Sequence, residues 1–244
     1  VNNLGPYRVV DLTAPPEAFE ERMLGKDRYF IEETHDYHTK IGFDSHAGTH
    51  VEMPRHWWDG LPDLTVSWGG HFVRRGVRLL LSVMGDRNGM VTPADLERTN
   101  GGQVRRGDLV LLDSQAKGEP FKKPRPAEDH RPELGIEAAL WLREKKVGAV
   151  AFGDGVAIEH NDLESARFHA VLMPEGVMLV ENVRNGEALS DDIFLAIFAP
   201  PPIQGVDAFP VRMLAIEGVP GFRTEKAHHG DTEDAEKGAD DEAD

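Results

Sequence analysis

The stretch His46-Ala47-Gly48-Thr49-His50-Val51-Glu52-Met53-Pro54-Arg55-His56 places three imidazoles and one carboxylate within eleven residues. His46, His50, Glu52 and His56 all fall at even positions, so an extended chain points them to one face. Gly48 and Pro54 disfavour a regular helix. A straight strand would spread the four groups over roughly 30 Å at ~3.3 Å per residue. To meet, they need a chain that curls, and Gly48 permits that curl. Nitrogen and oxygen donors at this spacing suit Zn²⁺, Mn²⁺ or a similar ion. The plainer reading is a histidine-rich loop in a chain that carries 11 His.

Around this stretch, short apolar, β-branched runs recur. Tyr7–Thr13, Val77–Val83, Asp108–Ser114, Val147–Gly153, Gly176–Val183, Ile193–Ala199 and Val211–Glu217 each read as a strand. Helical patterns are fewer. Thr92-Pro93-Ala94-Asp95 opens a short helix, with Thr92 as cap and Asp95 placed to reach back. Gly135–Lys146 keeps helical spacing at Ile136, Ala139, Leu140 and Arg143. Gly118–Pro132, with four prolines, reads as an irregular surface segment placed to act as a lid. Pro200-Pro201-Pro202 ends the strand before it. The fold class is α/β, a single β-rich domain.

Composition narrows the function. The chain has 244 residues, 40% of them hydrophobic, which is enough for one sizeable core. It has no Cys, so disulfides and thiolate metal sites are excluded, and a reducing, cytoplasmic setting fits. A net charge of −16 disfavours nucleic acid as a partner. No apolar run is long enough for a membrane span, and the N-terminus lacks the pattern of a signal peptide. Residues 223–244 hold nine Asp or Glu against three Lys or Arg and no apolar residue larger than Ala. They read as a disordered acidic tail to a domain at 1–222, with His228 and His229 as solvated bystanders.

A second half of the site lies further along. Glu181 closes the apolar run from Gly176, and a carboxylate there needs a partner or solvent; a metal ion would be such a partner. Trp57 and Trp58 follow the histidine stretch and could wall a substrate pocket, or pack in a core or subunit contact. His35, His38, His71, His130 and His160 match no motif and read as surface or hydrogen-bonding residues. Of these, His71 follows Gly69-Gly70 and is the nearest alternative proton carrier.

The histidine stretch resembles the H-x-G-T-H-x-D-x-P-x-H signature of the cyclase superfamily, which includes bacterial kynurenine formamidases and isatin hydrolases. His46, Gly48, Thr49, His50, Pro54 and His56 match, and Glu52 stands where the usual residue is Asp. Phe168-His169-Ala170-Val171-Leu172-Met173 and Gly176–Val183 resemble the family's H-x-x-L-L…G-I-x-I-x-E-N-L segment, with His169, Glu181 and Asn182 matching. The likeness runs from Val10-Asp11-Leu12-Thr13 through Arg106-Gly107-Asp108-Leu109-Val110 to Phe209-Pro210-Val211-Arg212. Phe152-Gly153-Asp154-Gly155-Val156-Ala157 and Ser114-Gln115-Ala116 depart from the family's Gly-x-Asp-x-x-Ser and Thr-Gly-Trp, which leaves the substrate open.

The resemblance implies a swivelling β/β/α fold, a homodimer or homotetramer, and one or two divalent ions per chain, Zn or Mn. It implies that His46, His50 and Glu52 hold one ion, that Glu52, His169 and Glu181 hold a second, and that His56 is the acid/base. The expected activity is hydrolysis of a C–N bond in a small amide, formamide or cyclic amide by a metal-activated water. A cyclase, dehydratase or lactone hydrolase is the alternative, and a non-catalytic metal-bearing binding protein the third.

Overall fold

The structure is a computed structural model that describes residues 1–16, 30–33, 38–65, 69–81, 90–118, 128–158 and 162–222. The strands are β1 (Asn2–Leu4), β2 (Tyr7–Asp11), β3 (Phe30–Glu33), β4 (Thr39–Gly42), β5 (His50–Glu52), β6 (Val73–Leu81), β7 (Leu109–Ser114), β8 (Ala149–Gly153), β9 (Met178–Val183), β10 (Ile193–Ile197), β11 (Ala208–Pro210) and β12 (Leu214–Glu217). The helices are α1 (Pro93–Arg98), α2 (Ile136–Glu144) and α3 (Asp162–Leu172). Among the described residues, no helix is long and apolar enough to cross a membrane.

Among the described residues, one ten-stranded sheet runs β1-β2-β12-β10-β6-β7-β8-β9-β5-β11, and β3 pairs with β4 alone. Its centre, β6 to β9, is parallel; the remaining pairs are antiparallel. The central strands are apolar on both faces, as parallel strands need to be. Val110, Leu112, Val150, Phe152 and Leu179 pack with Trp141 and Leu142 of α2 and Phe168 and Leu172 of α3. Leu109, Leu111, Ala149, Ala151 and Val180 face the other way, into a core shared with Val10, Val51, Phe194 and Ala215. That second core joins β2, β10 and β12 to β5, so the sheet curls toward itself on this face.

All seven strands expected from the sequence are present; six are trimmed at one or both ends, whereas β6 begins four residues earlier than expected, at Val73. The cap of α1 forms as expected: Thr92 Oγ1 accepts from Asp95 N, and the Asp95 carboxylate accepts from Thr92 N. Two features differ. Helix α3 lies outside the two helices expected from the sequence. The end of the proline-rich segment is not at the surface: Arg131 is fully buried, ion-paired to Asp129 at 2.8 Å, and donates to the Val156 carbonyl. The middle of that segment, residues 119–127, lies outside the described residues, as do His35, His160 and the acidic stretch 223–244.

Candidate metal centre

The centre forms at the β9-β5-β11 edge of the sheet. His50 pairs with Glu181 across the β5–β9 ladder, while Glu52 pairs with Leu179 on one side and Ala208 on the other. Because side chains alternate along a strand, His50 and Glu52 project to the same face. α3 brings His169 to that face. The expected curl occurs at both ends of β5. On one side Gly48 adopts φ +59°, and a Cβ there would lie 2.7 Å from the Ala14 carbonyl oxygen. On the other, Pro54–His56 forms one 3₁₀ turn that carries His56 back.

The turn at Gly48 explains two more residues of the stretch. Thr49 Oγ1 donates to the Asn182 carbonyl at 2.8 Å and accepts from Ala14 N at 2.7 Å. The Gly48 carbonyl accepts twice, from Asn182 Nδ2 at 3.1 Å and His50 Nδ1 at 3.0 Å. Asn182 itself sits in the left-handed region at φ +58°, beside a register shift between β8 and β9. Asn is one of the few side chains that tolerates this backbone.

Three imidazoles present Nε2 to two buried carboxylates. His46 Nε2 lies 3.2 Å and His50 Nε2 3.6 Å from Glu52 Oε1. His169 Nε2 lies 3.3 Å from Glu52 Oε2 and 3.6 Å from Glu181 Oε1. His50 Nε2 is 3.9 Å from Glu181 Oε2. The opposite ring nitrogens are anchored: His50 Nδ1 donates to Gly48, His169 Nδ1 donates to the Ser165 carbonyl at 2.7 Å, and His46 Nδ1 lies 2.9 Å from Ser45 Oγ. The Gly48 and Ser165 carbonyls hold a proton on Nδ1 of His50 and His169, so Nε2 is the nitrogen of each ring that would face an ion.

The field at this point is strongly anionic. Burial alone would lower the pKa of His169, but its bonds to Glu181 and Glu52 push it up to about 11. Burial likewise opposes the charge on Glu52, yet the His169, His46 and His50 imidazoles hold its carboxyl well below the usual range. His46 is raised in spite of burial by its contact with Glu52. Two buried atoms of the centre, His50 Nε2 and Glu52 Oε2, make no hydrogen bond of good geometry, although His169 Nε2 lies 3.3 Å from Glu52 Oε2. Orphaned buried donors and acceptors are costly, and a divalent cation would satisfy both. His50, Glu52 and Glu181 form one group with donor atoms close enough to share an ion; His46, Glu52 and His56 form another. The residues therefore fit a divalent ion, with a sulfur-free donor set.

His56 sits beside this cluster, half-exposed, with Nε2 3.7 Å from Glu52 Oε1. Trp57 and Trp58 are 39% and 70% exposed, which rules out core packing. His71 lies in the 3₁₀ turn before β6, four places from β5 in the sheet order. Behind His56 stands Asp207, with Oδ2 2.8 Å from His56 Nδ1. Sequence reasoning missed Asp207. The available signal was its place one residue before the short strand that leads into Phe209-Pro210-Val211-Arg212.

A curled mixed sheet with a buried His/Glu centre on one edge defines an α/β fold whose site chemistry is carried by oxygen and nitrogen donors. The family model described as "Putative cyclase" matches residues 10–160, and the chain belongs to that family. Isatin hydrolase A from Labrenzia aggregata shares the fold with a TM-score of 0.69 and 23% identity, over 87% of this chain and 94% of that one. Isatin hydrolase A from Ralstonia solanacearum gives 0.67 and 21%, over 86% and 92%. A protein described as a "Potential Metal-Dependent Hydrolase With Cyclase Activity" gives 0.66 and 22%, over 88% and 100%. No curated protein matches the chain.

Proposed function

We propose that this chain is a metal-dependent hydrolase that cleaves the C–N bond of a small amide, formamide or cyclic amide. The observation that carries the reading is the convergence of His46, His50 and His169 Nε2 on the buried Glu52 and Glu181 carboxylates. These five residues would hold one or two divalent ions, Zn or Mn. A bound ion of this kind acidifies water and polarises a carbonyl at neutral pH.

The chain's own residues supply the rest. His56 Nε2 faces the cluster and is near enough to solvent to exchange protons, so it takes a proton from the attacking water and returns one to the leaving nitrogen. Trp57 and Trp58 offer aromatic faces beside the centre that suit an aryl substrate. The same reading includes assembly as a homodimer or homotetramer, checked by light scattering. Three structural neighbours are named isatin hydrolases, which supports a cyclic amide. One neighbour's description includes cyclase activity, so lactones belong in the substrate panel.

The test is elemental analysis of the purified chain, followed by assays on aryl formamides, lactams and lactones before and after chelation. Hydrolysis of a formamide or lactam that chelation abolishes and Zn²⁺ or Mn²⁺ restores is the expected result. Full activity after exhaustive chelation would overturn it. Turnover of lactones alone would move the chain to the second reading. In the same assays, His56→Ala should keep most of the metal and lose roughly 10²–10⁴ in turnover. Loss of metal in step with activity would make His56 a ligand instead.

A further inference from the structure

We propose that Asp207 is the positioning residue for His56, fixing the imidazole with its proton on Nδ1 and its lone pair on Nε2. The inference rests on the acid/base role given to His56 above. Asp207 Oδ2 lies 2.8 Å from His56 Nδ1, and Ser45 Oγ donates to Asp207 Oδ1 at 3.4 Å. A carboxylate accepts only, so the His56 nitrogen facing it must carry the proton.

His56 Nδ1 also lies 3.2 Å from His46 Nε2. That nitrogen is directed at Glu52 and is not the stronger acceptor. With Nδ1–H committed to Asp207, Nε2 is left as a base toward the cluster, 3.7 Å from Glu52 Oε1. A neutral imidazole has one donor and one acceptor nitrogen, so whichever group claims one end sets the chemistry of the other. The same logic holds a catalytic histidine in its working tautomer in acyl-transfer enzymes.

The backbone makes the placement firm. Asp207 immediately precedes β11, and its carbonyl accepts from Met53 N at 2.8 Å. The next residue, Ala208, pairs with Glu52. The strand that carries the buried carboxylate therefore also fixes the residue that aims His56. Asp207 also touches the cluster through His46, with Oδ2 3.9 Å from His46 Nε2 and Ser45 Oγ between Oδ1 and His46 Nδ1, so metal content has to be measured beside kcat.

The experiment compares the full-length wild-type chain with Asp207→Asn and Asp207→Glu, each loaded with Zn²⁺. Asp207→Asn presents an amide that can donate to Nδ1, which would drive the proton to Nε2. The expected result is a kcat lower by roughly 10²–10⁴, KM within about threefold, and metal content unchanged, with Asp207→Glu recovering part of kcat. In ¹⁵N-histidine NMR spectra, the His56 ring should report Nδ1–H in the wild type and lose that signature in Asp207→Asn. Unchanged kcat, or metal lost in proportion to activity, overturns the positioning role. The NMR arm needs no turnover: if no substrate is hydrolysed but the tautomer changes as stated, the failure lies with the proposed reaction and not with Asp207. A wild-type His56 protonated on Nε2 would overturn the proposal directly.

Discussion

At the scale of single residues, the histidine stretch carries two kinds of information. His46, His50, Glu52 and His56 supply donors, whereas Gly48 and Thr49 supply the turn that lets those donors meet. Thr49 serves both a donor and an acceptor, and it is buried. Thr49→Val keeps the shape but leaves the Ala14 N–H and the Asn182 carbonyl unpaired, at about 1–3 kcal/mol for a buried orphan group. A lower melting temperature, with metal content falling as the turn loosens, is the expected outcome of a thermal melt paired with elemental analysis. Glu52 gives a sharper test. Its two oxygens face different imidazoles, Oε1 toward His46 and His50, and Oε2 toward His169. Glu52→Gln removes the charge that would offset two cations, so metal per chain should drop along with rate. Glu52→Asp, the residue of the family signature, should keep part of both. An unchanged metal count in Glu52→Gln would remove Glu52 from the ligand set.

At the scale of elements, legibility followed how fully each segment states its own burial. The strands β7 to β9 are buried on both faces and read as largely apolar runs. The capping box of α1 is local, so Thr92 and Asp95 announced it directly. Helix α3 was not legible, because Phe168 and Leu172 are the fully buried apolar side chains it offers among its described residues. Leu163, Ala166 and Ala170 lie exposed among its polar residues, so no apolar stripe marks the buried face, and His169 Nδ1 is held by the helix's own Ser165 carbonyl. β5 and β11 are three residues each, too short to show a period. Their pairing is set by the sheet around them, and Asp207 stayed hidden for the same reason. Among the legible strands, β12 makes a prediction of its own. Its last residue, Glu217, accepts from Ser190 N at 2.7 Å and Asp191 N at 2.6 Å and pairs with Arg8 of β2. Burial pushes its pKa up, but the Asp191 and Ser190 N–H groups and Arg8 pull it below the ordinary value of 4.5. A carboxyl depressed on folding stabilises above its unfolded pKa, and that contribution is lost as pH falls through its folded pKa. Glu217→Gln should therefore lower stability at about pH 7 and much less at about pH 3, seen in melts across that range. An equal deficit at both ends would deny Glu217 this role.

For the whole molecule, the donors of the centre come from separate parts of the chain: a turn, strand β5 next to the sheet edge, helix α3 and strand β9. An ion held there would tie the sheet edge to the helix layer. An ion bound to the folded state alone adds RT ln(1 + [L]/Kd), or ~2.7 kcal/mol at one hundred times Kd. For a domain of 150–250 residues, each kcal/mol moves the melting temperature by roughly 2–4 °C. Saturating Zn²⁺ or Mn²⁺ should then raise the melting temperature of the chelated protein by on the order of 5–10 °C. The net charge of −16 and the acidic segment 223–244, with His228 and His229, would also attract cations without any built site. Two controls separate these sources. Deleting residues 224–244 should leave the metal-induced shift intact, since that segment has no apolar residue larger than Ala with which to join a core. The paired substitution His50→Ala with Glu52→Gln should abolish the shift while leaving the acidic segment in place. A shift that follows the acidic segment, or survives loss of His50 and Glu52, would place the ions on the surface and take the stabilising role away from the centre.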